Sequence, residues 1–153
     1  MQKNPESLDL FRALLSPDVP LGATDAAQAM VLAARETCWR RNQTCDAVIA
    51  RGAVACILGG AVRKFAIRLN GQRQIVDLAV PGEFLGFAPT DPAFLMEAVS
   101  NDTRVASFLP DQLKALESRF PVISALMHNC AADAISRLEH HLLTVFDLQS
   151  GLL

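Results

Sequence analysis

Asn70-Gly71 lies between two stretches, AVRKFAIRL and QRQIVDLAV, in which apolar and polar residues broadly alternate. An Asn-Gly pair readily supplies the positive φ angles of a type I′ turn, and period-two flanks on both sides make the segment an antiparallel hairpin. Closure by two residues sets Leu69 opposite Gln72, Arg68 opposite Arg73, Ala66 opposite Ile75, Phe65 opposite Val76, Lys64 opposite Asp77 and Arg63 opposite Leu78. One face then carries Phe65, Ile67, Leu69, Val76, Leu78 and Val80 as the wall of a core, and the other carries Lys64, Arg68, Arg73 and Asp77. Lys64 with Asp77 is a favourable cross-strand pair, whereas Arg68 facing Arg73 is a like-charge one. Its side chains either splay into water or, with Arg63 and Lys64, present cations to an acidic protein surface.

The hairpin belongs to a larger β unit. From Glu36 to Phe108 short apolar runs alternate with turn signals, the pattern of a compact antiparallel sheet structure. Pro81-Gly82 ends the hairpin, and GEFLGFAPTDPAF reads as an irregular loop, the place where any chemistry would sit. LMEAV and RVASF return to extended character around the polar turn Ser100-Asn101-Asp102. Helices flank this unit. Leu8, Leu10, Phe11, Leu14 and Leu15 recur at helical spacing, and an Ala-rich helix runs from Asp25 to about Ala34. Pro110 opens a short helix, DQLKALESRF, and Pro121 a longer one reaching toward Leu148. On that last helix Ala131, Ile135, Leu138, Leu142 and Val145 form a continuous stripe, with Asp133, Arg137, Glu139 and His140 on the polar side. Such a stripe requires burial, either against the β unit or against an identical helix.

Composition excludes several classes of function. With 153 residues and 51% hydrophobic content the chain fills one substantial core. Its 14 basic and 16 acidic side chains, without a basic block, exclude a free-standing nucleic-acid surface. Charge, Gly or Pro interrupts each apolar stretch before it reaches the span of a membrane helix, and MQKNPESLDLFR lacks a signal-peptide core, so a cytoplasmic protein without membrane contact is expected. Cys38, Cys45, Cys56 and Cys130 contain no C-x-x-C and read as buried small residues, not iron–sulfur ligands. Cys38 and Cys45, flanking a turn at Arg41-Asn42-Gln43, are the pair that local sequence places near each other. Neighbouring His140 and His141 point about 100° apart on a helix, so with His128 they read as surface residues and no metal or cofactor is expected. His141 flanks the apolar stripe. No nucleophile elbow, phosphate-binding glycine loop or carboxylate pair is present; Asp91, Glu97 and Asp102 read as solvated turn residues, and an enzyme is not expected.

Taken together, ACILGGAVRKFAIRLNGQRQIVDLAVPGEFLGF, then EAVSNDTRVASFLPDQLKALESRFP, then a long helix, resemble the sensory half of Crp/Fnr-type bacterial transcription regulators over roughly Gln43 to Leu148. The resemblance implies a mainly β fold with flanking helices: a double-stranded β-helix, or jelly roll, of the cyclic-nucleotide-binding kind. It divides the chain into a sensory domain over 1–120 and a dimerisation helix over 121–148, with Ala131, Ile135, Leu138, Leu142 and Val145 at the interface of a homodimer. DNA binding in such regulators belongs to a C-terminal helix-turn-helix domain absent from this chain, which therefore is not expected to read DNA alone. Two functions fit: the signal-sensing and dimerising part of a regulator, or a stand-alone dimeric interaction module that has lost ligand and DNA binding.

The resemblance also implies a ligand pocket at Glu83, Phe84, Gly86, Phe87, Phe94 and Met96. In cyclic-nucleotide-binding relatives an acid after the Gly86 position accepts from the ribose, and an Arg near 92–95 neutralises the phosphate. Here those positions hold Phe87 and Ala93. A phosphate among these apolar side chains would lose hydration without a charge partner, so neither cyclic AMP nor cyclic GMP is expected to bind. The loop is either filled by its own side chains or open to an uncharged ligand.

Overall fold

Val54-Ala55-Cys56-Ile57 is apolar at every position, as befits a strand covered on both faces. The computed structural model describes residues 5–15, 23–44, 52–86 and 94–150. In chain order it contains α1 (Pro5–Leu15), α2 (Ala23–Ala33), β1 (Arg35–Trp39), β2 (Val54–Gly59), β3 (Val62–Ile67), β4 (Arg73–Ala79), β5 (Phe84–Leu85), β6 (Phe94–Ala98), β7 (Thr103–Phe108), α3 (Pro110–Arg119) and α4 (Pro121–Ser150). All pairings are antiparallel, in one sheet ordered β1-β7-β2-β5 and a second ordered β4-β3-β6.

The four-stranded sheet is the middle layer. Ala55, Ile57, Leu85 and Val105 turn toward the other sheet and meet Val62, Ala79, Met96 and Ala98. Val54, Cys56, Phe84, Ala106 and Phe108 turn the other way, onto Phe11, Met30, Ile123 and Met127 of the helices. Phe11 and Phe108 lie with ring centroids 6.0 Å apart. Full burial of each of these large side chains is worth about 1.5 to 3 kcal/mol, so the helices form a structural layer of the domain.

The hairpin departs from its expected closure. Gly71 N–H donates to the Arg68 carbonyl at 2.9 Å and Arg68 N–H to the Gln72 carbonyl at 2.8 Å, so the loop holds three residues, Leu69-Asn70-Gly71. Gly71 alone of the three takes a positive φ, 82°. A three-residue loop ending in a left-handed Gly is the other common hairpin connection that Asn-Gly serves. It shifts pairing near the tip by one, to Phe65 with Ile75, Ala66 with Gln74 and Ile67 with Arg73. A bulge then leaves Val76 unpaired and restores Lys64 with Asp77 and Arg63 with Leu78, as expected.

Two expectations fail as a result. Arg68 does not face Arg73: it donates to Gln74 Oε1 from Nε (3.0 Å) and Nη2 (2.8 Å), while Arg63 and Arg73 both reach Glu97. These guanidinium groups have partners within the chain, so their placement lends no support to an acidic protein surface docking there. Nor is the expected apolar wall a core: Ile67, Leu69 and Leu78 are exposed, as are Val80 and neighbouring Ile75. Alternation specifies two faces without saying which is inward. Val62 and Ala79 face the four-stranded sheet, which turns Phe65 and Leu78 outward; Phe65 stays buried, with the Arg73 guanidinium 4.4 Å from its ring centroid.

On α4, Ile123 and Met127 are buried, but Ile135, Leu138 and Leu142 are 59%, 51% and 58% exposed. The other helices and the β unit thus cover the base of the helix and leave the later part of the stripe open. Ala131 is half-buried, and the side chains of His141 and Val145 lie outside the described residues. Among the described helices none is long and apolar enough to cross a membrane.

Candidate functional site

The segment from Pro81 to Gly86, a turn after β4 that runs into β5, lies against β2. Gly82 N–H donates to the Ile57 carbonyl at 2.9 Å and Ile57 N–H to the Glu83 carbonyl at 3.0 Å, fastening the turn to β2. Gly86 has a φ of 101°, and a Cβ there would run into the Ala53 carbonyl oxygen, so only glycine allows this close approach.

Glu83 uses both carboxylate oxygens. Oε1 accepts from the Val80 N–H at 3.0 Å, and Oε2 lies 3.0 Å from Arg137 Nη1 on α4. The same Arg137 lies 3.4 Å, through its buried Nε, from Asp77 Oδ1 on β4, an oxygen that also accepts from the Leu78 N–H at 2.9 Å. All three side chains are largely withdrawn from water, at 31%, 23% and 28% exposure for Arg137, Asp77 and Glu83, so their attraction is less screened than that of a surface pair. Arg137 therefore joins the long helix to both the hairpin and the turn. Beside it a groove is lined by Val76, Asp77, Asp133, Ser136, Arg137 and His140.

The other expected pocket residues point in different directions. Phe84 belongs to the helix-side cluster and Met96 to the cluster between the sheets, on opposite sides of the four-stranded sheet. Phe87, Ala93 and Asp91 lie outside the described residues, as does the Phe94 side chain.

Glu97 corrects a sequence reading. It is no solvated turn residue: it sits within β6, 3% exposed, and accepts from Arg63 Nε at 2.7 Å and Arg73 Nη1 at 3.2 Å. Arg63 Nη2 in turn donates to Asn42 Oδ1 at 2.8 Å. A lone acid within the strand LMEAV was the available signal, since a carboxylate in an apolar strand requires a cation across the ladder.

The cysteines also divide. Cys38 is exposed, contrary to the expectation of burial, because it lies on the solvent side of the edge strand β1; Cys56 is buried and Cys130 half-buried, while Cys45 lies outside the described residues. Burial pushes the Cys56 thiol far above its ordinary range, and nearby Cys130 adds to the shift. Burial also raises Cys130, with Asp133 adding to that and Arg137 opposing it. Among the described residues no three His, Cys, Asp or Glu side chains gather as a metal site. His128 and His140 are exposed.

A roll of two antiparallel sheets, two helices before it and a long helix after it define a Crp/Fnr-type cyclic-nucleotide-binding-like fold. Solved structures bear this out. The catabolite activator protein of Thermus thermophilus matches with a TM-score of 0.63 at 23% identity, over 90% of this chain and 62% of its own. FixK2 from Bradyrhizobium japonicum matches at 0.59 and 23% identity, over 72% of this chain and 56% of its own. The c-di-GMP responsive global regulator CLP of Xanthomonas campestris matches at 0.68 and 14% identity, over 82% and 64%. This chain thus spans less than two thirds of the length of each of these three regulators. No protein-family model and no curated protein matches the sequence.

Proposed function

We propose that this chain is the signal-sensing and dimerising domain of a Crp/Fnr-type transcription regulator, acting as a homodimer that binds DNA only through a further C-terminal domain. The observation that carries this reading is Arg137. It ties α4 to Asp77 and Glu83 of the roll just before the apolar residues Leu138 and Leu142 run into solvent. A change at the turn that altered either ion pair would reposition the helix on which a second copy packs, so sensing and assembly share one side chain. Exposed Ile135, Leu138 and Leu142 gain cover from the same residues of a two-fold-related helix.

The signal in this reading is not a cyclic mononucleotide, because Phe87 and Ala93 supply neither the ribose acceptor nor the phosphate cation. Fusing the chain to a DNA-binding head that needs a dimer to hold its operator tests the assembly half of the proposal. Repression is expected from the fusion and should be lost on Leu142→Asp. Repression no better than that of the isolated head would overturn it.

A further inference from the structure

We propose that Arg137 is a latch with two positions: in one it holds α4 to the roll through Asp77 and Glu83, and in the other it turns to Asp133 on its own helix and lets the roll go. The inference deepens the reading of Arg137 as the joint between sensing and assembly, and rests on it.

Asp133 stands four residues before Arg137 on α4, so the two side chains are neighbours on one helix face. A long side chain on a helix leans toward the helix N-terminus, which aims Arg137 at Asp133. An acid placed N-terminal to its base is also the favourable order for such a pair. Both residues line the groove between α4 and β4. Asp133 is exposed and makes no ion pair among the described residues.

The position seen in the structure is incompletely satisfied. Arg137 Nε is buried without a hydrogen-bond partner, because Asp77 Oδ1 stands off at 3.4 Å; the Glu83 contact, at 3.0 Å, is the closer one. A buried donor without an acceptor costs free energy, and this brings the two positions nearer to each other. Departure of Arg137 does not strand the acids either. Asp77 Oδ1 keeps the Leu78 N–H, Glu83 Oε1 keeps the Val80 N–H, and both side chains are open enough for water to take the vacated place. Arg137 thus trades two partly shielded contacts for one in an open groove, so the shielded position is the majority and the turned one the minority. Because one side chain holds both the hairpin and the Pro81–Gly86 segment, its turning frees α4 from the two together.

Backbone hydrogen exchange of the whole folded chain, read by mass spectrometry over residues 76–86, tests the latch. This segment contains the Leu78 and Val80 amides that the two carboxylates hold, and its exchange rate follows the fraction of time the joint is open. Asp133→Asn removes the second position at an exposed site and should slow exchange by about 1.5- to 2-fold, the worth of one such helical pair. Asp133→Glu should restore the wild-type rate. Arg137→Met should speed exchange at least several-fold and leave it indifferent to Asp133→Asn. Unchanged or faster exchange in Asp133→Asn, or the same slowing from Glu139→Gln outside the groove, would overturn the proposal. The measurement requires neither a dimer nor DNA, so failure of the latch is distinguishable from failure of the regulator reading.

Discussion

Arg63 on β3 and Glu97 on β6 are direct partners in the ladder, and the Arg63 Nε donates to the Glu97 carboxylate at 2.7 Å. The Glu97 side chain is only 5% exposed, with Arg63 at 28% and the second cation, Arg73, at 60%. A buried carboxylate is costly unless a cation stays with it, and the cation closer and better shielded from water carries more of the stabilisation.

Arg63→Met is therefore expected to destabilise the fold by about 2 to 3 kcal/mol, at or below the lower bound for a broken buried pair because Arg73 remains. Arg73→Met should cost less than about 1 kcal/mol, as for an exposed pair. Urea unfolding of the two variants decides the order, and equal losses would show that burial of Arg63 is not what matters.

Gly86→Ala should cost more than about 2 kcal/mol, since the new Cβ meets the Ala53 carbonyl at a strained positive φ. Gly71→Ala, with open space around it, pays only the backbone term of about 1 kcal/mol. Thermal unfolding of both variants measures the difference, and comparable losses would mean that the turn moves off β2 freely.

The raised Cys56 thiol makes stability fall in alkali. A thiol whose folded pKa is raised gives stability that is complete below the unfolded value of 9.0 and is lost as pH rises above it toward the folded value. Unfolding free energy should thus drop by about 1.4 kcal/mol per pH unit above 9 from this group. Cys56→Ala, less stable at neutral pH, should show a shallower alkaline slope in denaturant titrations. An unchanged slope would rule out this thiol as the cause.

Assembly follows from the open face of α4. Wild-type protein should sediment as a dimer at tens of micromolar, and Leu138→Asp or Leu142→Asp should give a folded monomer near 16.5 kDa by placing like charges across the seam. A wild-type monomer would remove the seam; a dimer indifferent to both substitutions would place the interface elsewhere.

Calorimetric titration of cyclic AMP or cyclic GMP up to about millimolar should release no measurable heat, corresponding to binding weaker than about -4 kcal/mol. A micromolar dissociation constant would overturn the proposal that Phe87 and Ala93 leave a cyclic nucleotide without partners.

Element types along this chain follow from local pattern. Helical spacing placed α1, and prolines placed the starts of α3 and α4, because a helix start and its apolar period are properties of consecutive residues. Lys64 opposite Asp77 was legible for the same reason, and the exposed tip was not: a two- or a three-residue loop suits Asn70-Gly71 equally, and the bulge at Val76 absorbs the difference. The role of Glu97 was hidden by its nearness in sequence to a loop.

Local pattern along the chain sets the succession of helices, strands and turns. Packing between distant segments sets which face of the hairpin is the core, buries Glu97 between Arg63 and Arg73, brings Arg137 to Asp77 and Glu83, and puts Cys56 in one cluster with Cys130. The difference is one of range. Local pattern records the period of a strand or helix, whereas charge pairing and burial depend on residues far apart in the chain that meet only when sheets and helices pack.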